Sequence, residues 1–204
     1  FNGSSDYLTV GSFPAIGTQD FTVECWVYAN STAVTGGYNP RMFDLVGIQL
    51  VIEDAAGRTC RLDFNDANSL YVTSSGVFQI NQWNHIAVVR ISNIISFYLN
   101  GVAQTGGTRS DNLLGGTGYI GVYRGGIGFW NGYNCGFRAT IGKGIYTAAF
   151  TPTMRPFGTL TNNLVTFSEL LTHSTYWTAY QGTSNGGAGI APDGTPSATA
   201  FTEN

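Results

Sequence analysis

Charge is what this 204-residue chain has least of: Asp, Glu, Lys and Arg make up 10% of it, against about 25% in an average domain. The nine basic residues are scattered and the formal net charge is −3. Binding to nucleic acid needs clustered Lys and Arg to displace counterions, so nucleic acid is excluded as a partner. No apolar run approaches the roughly 18 residues that span a bilayer, and no membrane partner is expected. Cysteine is scarce too. Cys25, Cys60 and Cys135 are an odd number at unrelated spacings with no C-x-x-C pair, which excludes a disulfide framework and a zinc or dithiol redox site. A Cys25 to Cys60 bridge and reduced thiols in a reducing compartment both remain open. Only two histidines occur, His85 and His173, and neither stands in a nucleophile motif. No long amphipathic helix is evident.

What the chain does have is glycine, 28 residues, and aromatic residues at 14%. That mixture suits a turn-dense β-sandwich whose surface is made polar by Asn, Thr, Ser and Gln. From Phe21 to Ala29 the residues alternate, with Phe21, Val23, Cys25, Val27 and Ala29 on one face and Thr22, Glu24, Trp26 and Tyr28 on the other; a period of two marks a strand. Trp83 to Arg90 and Ile95 to Asn100 are β-branched and aromatic runs separated by Ser92-Asn93, and the second ends in Asn100-Gly101. Asn-Gly tolerates positive φ and so favours a tight hairpin turn. Further strands are predicted at about 43–53, 59–64, 69–72, 117–123 and 133–141, with 31–41 a loop. Such short, regular spacing predicts an all-β, two-sheet antiparallel sandwich rather than β-α-β units.

Four blocks carry a resemblance: Phe1 to Val10, Asp20 to Tyr28, Trp83-Asn84-His85 to Arg90 with Leu99-Asn100-Gly101-Val102, and Arg138 through Tyr146 to Phe150-Thr151-Pro152. In this order they resemble the concanavalin A-like, laminin-G-like jelly-roll domains, and the closing block resembles versions carried by tailed-phage virion proteins. The resemblance covers about 1–156 and implies a jelly roll over 1–157, followed by a linker at 158–163 and, over 164–204, a partial second β module or an extended C-terminal segment. Because the chain opens on Phe1 within a strand-like stretch and stops at Asn204 as another strand pattern begins, it is expected to be part of a longer modular protein, or to be completed by a partner.

The resemblance implies two functions. One is a non-enzymatic structural protein of a tailed-phage virion, a decoration, fibre or tail-associated subunit that contacts other virion proteins and forms a homo-oligomer. The other is a lectin-like adhesin for cell-surface glycan. Sugar-stacking candidates are Tyr123, Trp130 and Tyr133 in a glycine-rich stretch, since exposed rings stack on the apolar faces of sugars; core packing or a protein interface would use the same rings. Calcium is the metal that the resemblance allows, with Asp63, Asn65 and Asp66 as hard oxygen ligands. Against it, this cluster lacks the glycine and distal glutamate of an EF-hand loop, and Gly136 stands where the closing motif often carries Asp. Glycoside hydrolases of this fold share Glu-x-Asp-x-x-Glu, which is absent here, so no enzymatic activity and no required cofactor are expected. Glu53 with Asp54, and Asp63 with Asp66, read as solvated turn residues. His85, within a strand, reads as structural.

Overall fold

The computed structural model describes residues 1–53, 58–66, 68–73, 77–124, 126–153, 182–189 and 198–203. The chain divides into two units, Phe1–Pro156 and Phe157–Asn204. The first contains β1 (Leu8–Phe13), β2 (Phe21–Ser31), β3 (Arg41–Asp44), β4 (Ile48–Glu53), β5 (Thr59–Phe64), β6 (Asn68–Tyr71), β7 (Trp83–Ile91), β8 (Ile94–Leu99), β9 (Val102–Ala103), β10 (Gly107–Thr108), β11 (Gly116–Ile120) and β12 (Asn131–Ile141). The second contains β13 (Gly182–Gly189) and β14 (Ala198–Glu203), paired antiparallel. The linker expected at 158–163 lies outside the described residues.

The first unit is a jelly-roll sandwich of two antiparallel sheets. One runs β1-β11-β3-β4-β5-β6, and the other runs β10-β8-β7-β2-β12 with β9 pairing β8. Strand alternation decides which residues lie between them. Phe21, Val23, Cys25, Val27, Ile86, Val88, Ile95, Phe97 and Leu99 from one sheet meet Phe43, Ile48, Leu50, Ile52, Leu62 and Phe64 from the other in one buried cluster. Each large side chain removed from water contributes roughly 1.5–3 kcal/mol, so this contact orders the fold. All three cysteines are free, with Cys25 and Cys60 buried and Cys135 exposed.

The turns follow local chemistry. Ser92 and Asn93, at φ 49° and 67°, close β7 onto β8, and Asn100-Gly101, at φ 53° and 77°, closes β8 onto β9. The single strand predicted at 43–53 is instead a hairpin. Val46 adopts φ 68°, and its N–H donates to Asp44 Oδ1 at 2.9 Å, which folds the chain between β3 and β4. A β-branched residue rarely takes positive φ, so propensity gave no sign of this turn.

Beyond β12 the chain returns as a strap, residues 142–153, over the outer face of the sheet that holds β2, β7, β8 and β12. Tyr146 and Phe150 pack on Ala87, Val89 and Tyr98 in a second apolar cluster. The Phe150 N–H donates to Gly101 O at 3.0 Å, and Trp26 Nε1 donates to Thr153 O at 3.2 Å. Gly101 has to be glycine: a Cβ there would lie 1.8 Å from Phe150 O.

Candidate functional site

Because alternate residues of a strand face opposite ways, the sheet β1-β11-β3-β4-β5-β6 turns a polar set outward. Register aligns Thr9, Tyr119, Asp44, Gln49, Asp63 and Ser69 into one row across all six strands. A second row holds Arg41, Val51, Arg61 and Tyr71. Three arginines here answer four carboxylates. Arg61 grips Asp63 through two N–H groups at 2.8 and 2.9 Å and also pairs with Glu53. Arg124 reaches Asp44 at 3.2 Å and Asp66 at 2.5 Å, and Arg41 stands 3.9 Å from Asp63. The hydroxyls of Ser69 and Tyr71 donate to Asp63 and Glu53 at 2.8 and 2.9 Å, and the Gln49 carboxamide donates to Asp66.

Burial tunes these charges. It pushes the Asp44 carboxyl above its usual value, opposed by N–H donation from Arg124 and Val46 and by the Arg124 charge. Burial likewise lowers Arg41, which Asp63 partly restores. Arg41 Nε, Gln49 Oε1 and Asn39 Oδ1 are buried polar atoms without a hydrogen-bond partner in the structure, so this network holds unspent hydrogen-bonding capacity.

The glycine-rich loop between β11 and β12 folds beside this face. Tyr123 stacks on Tyr38, with ring centroids 6.2 Å apart and planes at 13°. The Arg41 and Arg124 guanidinium groups lie 4.8 and 5.7 Å from the Tyr123 ring. Tyr38 is 45% exposed. Nearby, Gly3, Ser4, Thr35, Gly36, Ile127 and Phe129 help to line a shallow depression of about 380 Å³, within the range of small-ligand sites. Rings, planar donors and fixed carboxylates at one end of a sandwich can stack on a sugar and bond its hydroxyls.

The sequence-predicted residues scatter around this arrangement. Tyr123, Asp63 and Asp66 belong to it. Trp130 does not: it is wholly buried, set edge-on to Phe78 with centroids 6.4 Å apart, and a ring without exposed surface cannot stack on a ligand. Tyr133 is 58% exposed, but on the outer face of the other sheet. Nor do Asp63, Asn65 and Asp66 form a calcium cradle. The first is held by Arg61 and Ser69, and the third by Arg124 and Gln49. The Asn65 amide bonds Asn112 O and Leu114 N at 3.1 Å each. Among the described residues no three His, Cys, Asp or Glu side chains are grouped to hold a metal ion. Sequence reasoning missed Tyr38, Arg41, Gln49 and Arg124. Alternation along β4 was the available signal for Gln49, whereas the others depend on how loops fold.

A second polar cluster lies beneath the strap. Glu24 is wholly buried and accepts from Arg138 Nε and Tyr146 Oη at 2.7 Å each, while His85 Nε2 stands 3.3 Å away. Burial opposes the Glu24 charge, but hydrogen bonds from His85, Tyr146 and Arg138 outweigh it and hold the carboxyl below its usual value. Tyr146, through burial and its bond to Glu24, is pushed up to about 12. These residues come from three of the four blocks that carry the sequence resemblance, and their shared duty is to pin the strap.

This chain belongs to the concanavalin A-like lectin/glucanases superfamily, whose laminin G-like family profile matches residues 2–140. It is similar in structure to a heptameric SAP-like pentraxin from Limulus polyphemus, with 15% identity, a TM-score of 0.52 and coverage of 68% of this chain and 73% of that one. A protein from Bacteroides ovatus proposed to bind carbohydrate matches at 19% identity and TM-score 0.52, over 72% of this chain and 43% of that one. Domains LG4-5 of the mouse laminin α1 chain match at 13% identity and TM-score 0.52, over 73% and 44%. The chain thus spans less than half the length of the latter two, and at these identities the likeness is one of fold. Comparison with curated proteins finds no match.

Proposed function

We propose that the unit Phe1–Pro156 is a non-catalytic carbohydrate-binding module that takes short glycans at the loop end around Tyr123. The observation that carries this reading is the stacked Tyr38–Tyr123 pair set against the Arg41 and Arg124 guanidinium groups. Glycan recognition combines ring stacking with hydrogen bonds from groups held in place beforehand. Opposite charges on the polar face nearly balance, which suits a neutral, hydroxyl-rich ligand. Glycosidic cleavage requires one carboxyl poised to give up a proton and another across the bond from it. Here Asp44, Glu53, Asp63 and Asp66 each pair with an arginine. Asp44, the one pushed upward, is wholly buried and accepts two backbone N–H groups.

A place in a tailed-phage virion, among other virion proteins and in symmetric copies, rests on the likeness of the closing block. Arg138, Tyr146 and Phe150 from that block have work enough in pinning the strap, so the glycan reading leads. An adhesin on a virion would unite the two.

The test is an array of short neutral oligosaccharides probed with the full chain, in calcium and again in chelator. Selective binding that is equal in both buffers and lost in Tyr123→Ala is the expected result. An array that stays blank, or binding untouched by Tyr123→Ala, refutes the assignment.

A further inference from the structure

The outer face of the sheet that holds β2, β7, β8 and β12 is ordered by register into four rows. From one end these are Thr140–Thr22–Val89–Ser96, Arg138–Glu24–Ala87–Tyr98, Cys135–Trp26–His85 and Tyr133–Tyr28–Trp83. The strap covers the first two and touches the third through Thr153 O on the Trp26 indole. Among the described residues the fourth row is open. Tyr133 is 58% and Trp83 37% exposed, and Tyr28 stands between them at centroid distances of 5.8 and 5.7 Å, its plane inclined at 70° and 68° to theirs. Gly132 makes this proximity: a Cβ there would lie 1.9 Å from Tyr28 O, so only glycine lets this end of β12 lie so closely on β2.

We infer that the Tyr133–Tyr28–Trp83 row is a second binding surface, for an extended neutral polysaccharide chain, separate from the Tyr123 site. This inference rests on the reading of the chain as a glycan-binding module. Three neighbouring aromatic residues spread over three adjacent strands present an open track rather than a pocket, which suits successive rings of a long glycan. Every side chain in the row has an aromatic body with a polar tip, and none is aliphatic, so stacking and hydrogen bonding occur together. Beside the row, the Asn30 carboxamide donates to the Asn131 carboxamide at 3.2 Å, adding amide groups that match hydroxyls. Charge separates neutral from acidic glycans. The row itself carries no charge, and among the described residues Arg138, a cation two rows away, is committed to Glu24.

Affinity gel electrophoresis of the full chain through xyloglucan, galactomannan or mixed-linkage β-glucan tests this, with polygalacturonate as the acidic comparison. The wild-type chain is expected to be retarded by at least one neutral polymer, with little effect of salt and no retardation by polygalacturonate. Trp83→Ala and Tyr133→Ala should each weaken that retention about tenfold or more. Trp83→Phe, which keeps a ring, should restore most of it, and Tyr123→Ala should leave it in place. Unchanged thermal unfolding of the variants shows that the fold is intact. Retention untouched by Trp83→Ala and Tyr133→Ala but lost in Tyr123→Ala would overturn the second surface while leaving the loop-end site standing. So would a self-associating chain whose oligomer, rather than glycan retention, is lost in these two variants. No retention by any polymer, alongside a positive oligosaccharide array, overturns the second surface alone, whereas both blank overturn both readings.

Discussion

Replacing Glu24 with Gln tests whether the strap is held by charge. In the native fold the wholly buried carboxylate faces three donors, from Arg138, Tyr146 and His85. A carboxamide keeps the shape but turns one acceptor into a donor and removes the Glu24 charge that Arg138 bonds. Breaking a buried ion pair costs about 3–5 kcal/mol. Arg138, whose side chain is 21% exposed, can regain some water, so the low end applies, about 3 kcal/mol. For a unit of this size urea unfolding has a slope of about 2 kcal/mol/M, so the midpoint should fall by about 1–2 M. Tryptophan fluorescence reports it through Trp26, Trp83 and Trp130. The sign with pH follows from the direction of the shift. A carboxyl held below its usual value stabilises the fold fully above the ordinary carboxylate range and loses that contribution as pH falls through its own lowered pKa. The gap between wild type and Glu24→Gln should therefore be full at neutral pH and narrow in acid. A midpoint change under about 0.3 M at neutral pH, or a gap that widens in acid, would refute the reasoning.

Other expectations follow from burial and close approach. Trp130→Ala should cost about 3–5 kcal/mol in thermal or urea unfolding, because it empties core volume rather than a ligand contact. Gly101→Ala should destabilise by more than about 1 kcal/mol and speed proteolytic cutting within 142–153, since the new methyl meets Phe150 O. Burial pushes the Cys25 and Cys60 thiols up to about 12. A thiol reagent should therefore titrate one group quickly in the native chain, the exposed Cys135, and three after unfolding.

Much of the sandwich was legible residue by residue. The alternation from Phe21 to Ala29 reappears as the inward face of β2, and Ser92-Asn93 and Asn100-Gly101 turn where their tolerance of positive φ predicts. The site was less legible. Tyr123 could be named from its glycine-rich setting, yet Trp130, in the same stretch, turns inward. Composition gives both rings the same reading; which one is exposed depends on how the loop folds against Gly121 and Gly3, whose backbones bond the Trp130 backbone. The cluster Asp63, Asn65 and Asp66 suggested a metal because three oxygen-bearing side chains lie close in sequence. In the fold two are claimed by arginines from β5 and from the distant β11–β12 loop.

Local sequence alone determined most of the strand pattern, the inward and outward face of most strands and the turns at Ser92-Asn93 and Asn100-Gly101, because period-two burial and backbone preference act over a few residues. Tertiary structure alone decided partnership: that Glu24 meets Arg138, 114 residues away, that Tyr38 stacks on Tyr123, and that Tyr133, Tyr28 and Trp83 meet in one row. Those outcomes depend on sheet register and loop closure, and a shift of a single residue in register would turn every side chain of a strand to its other face.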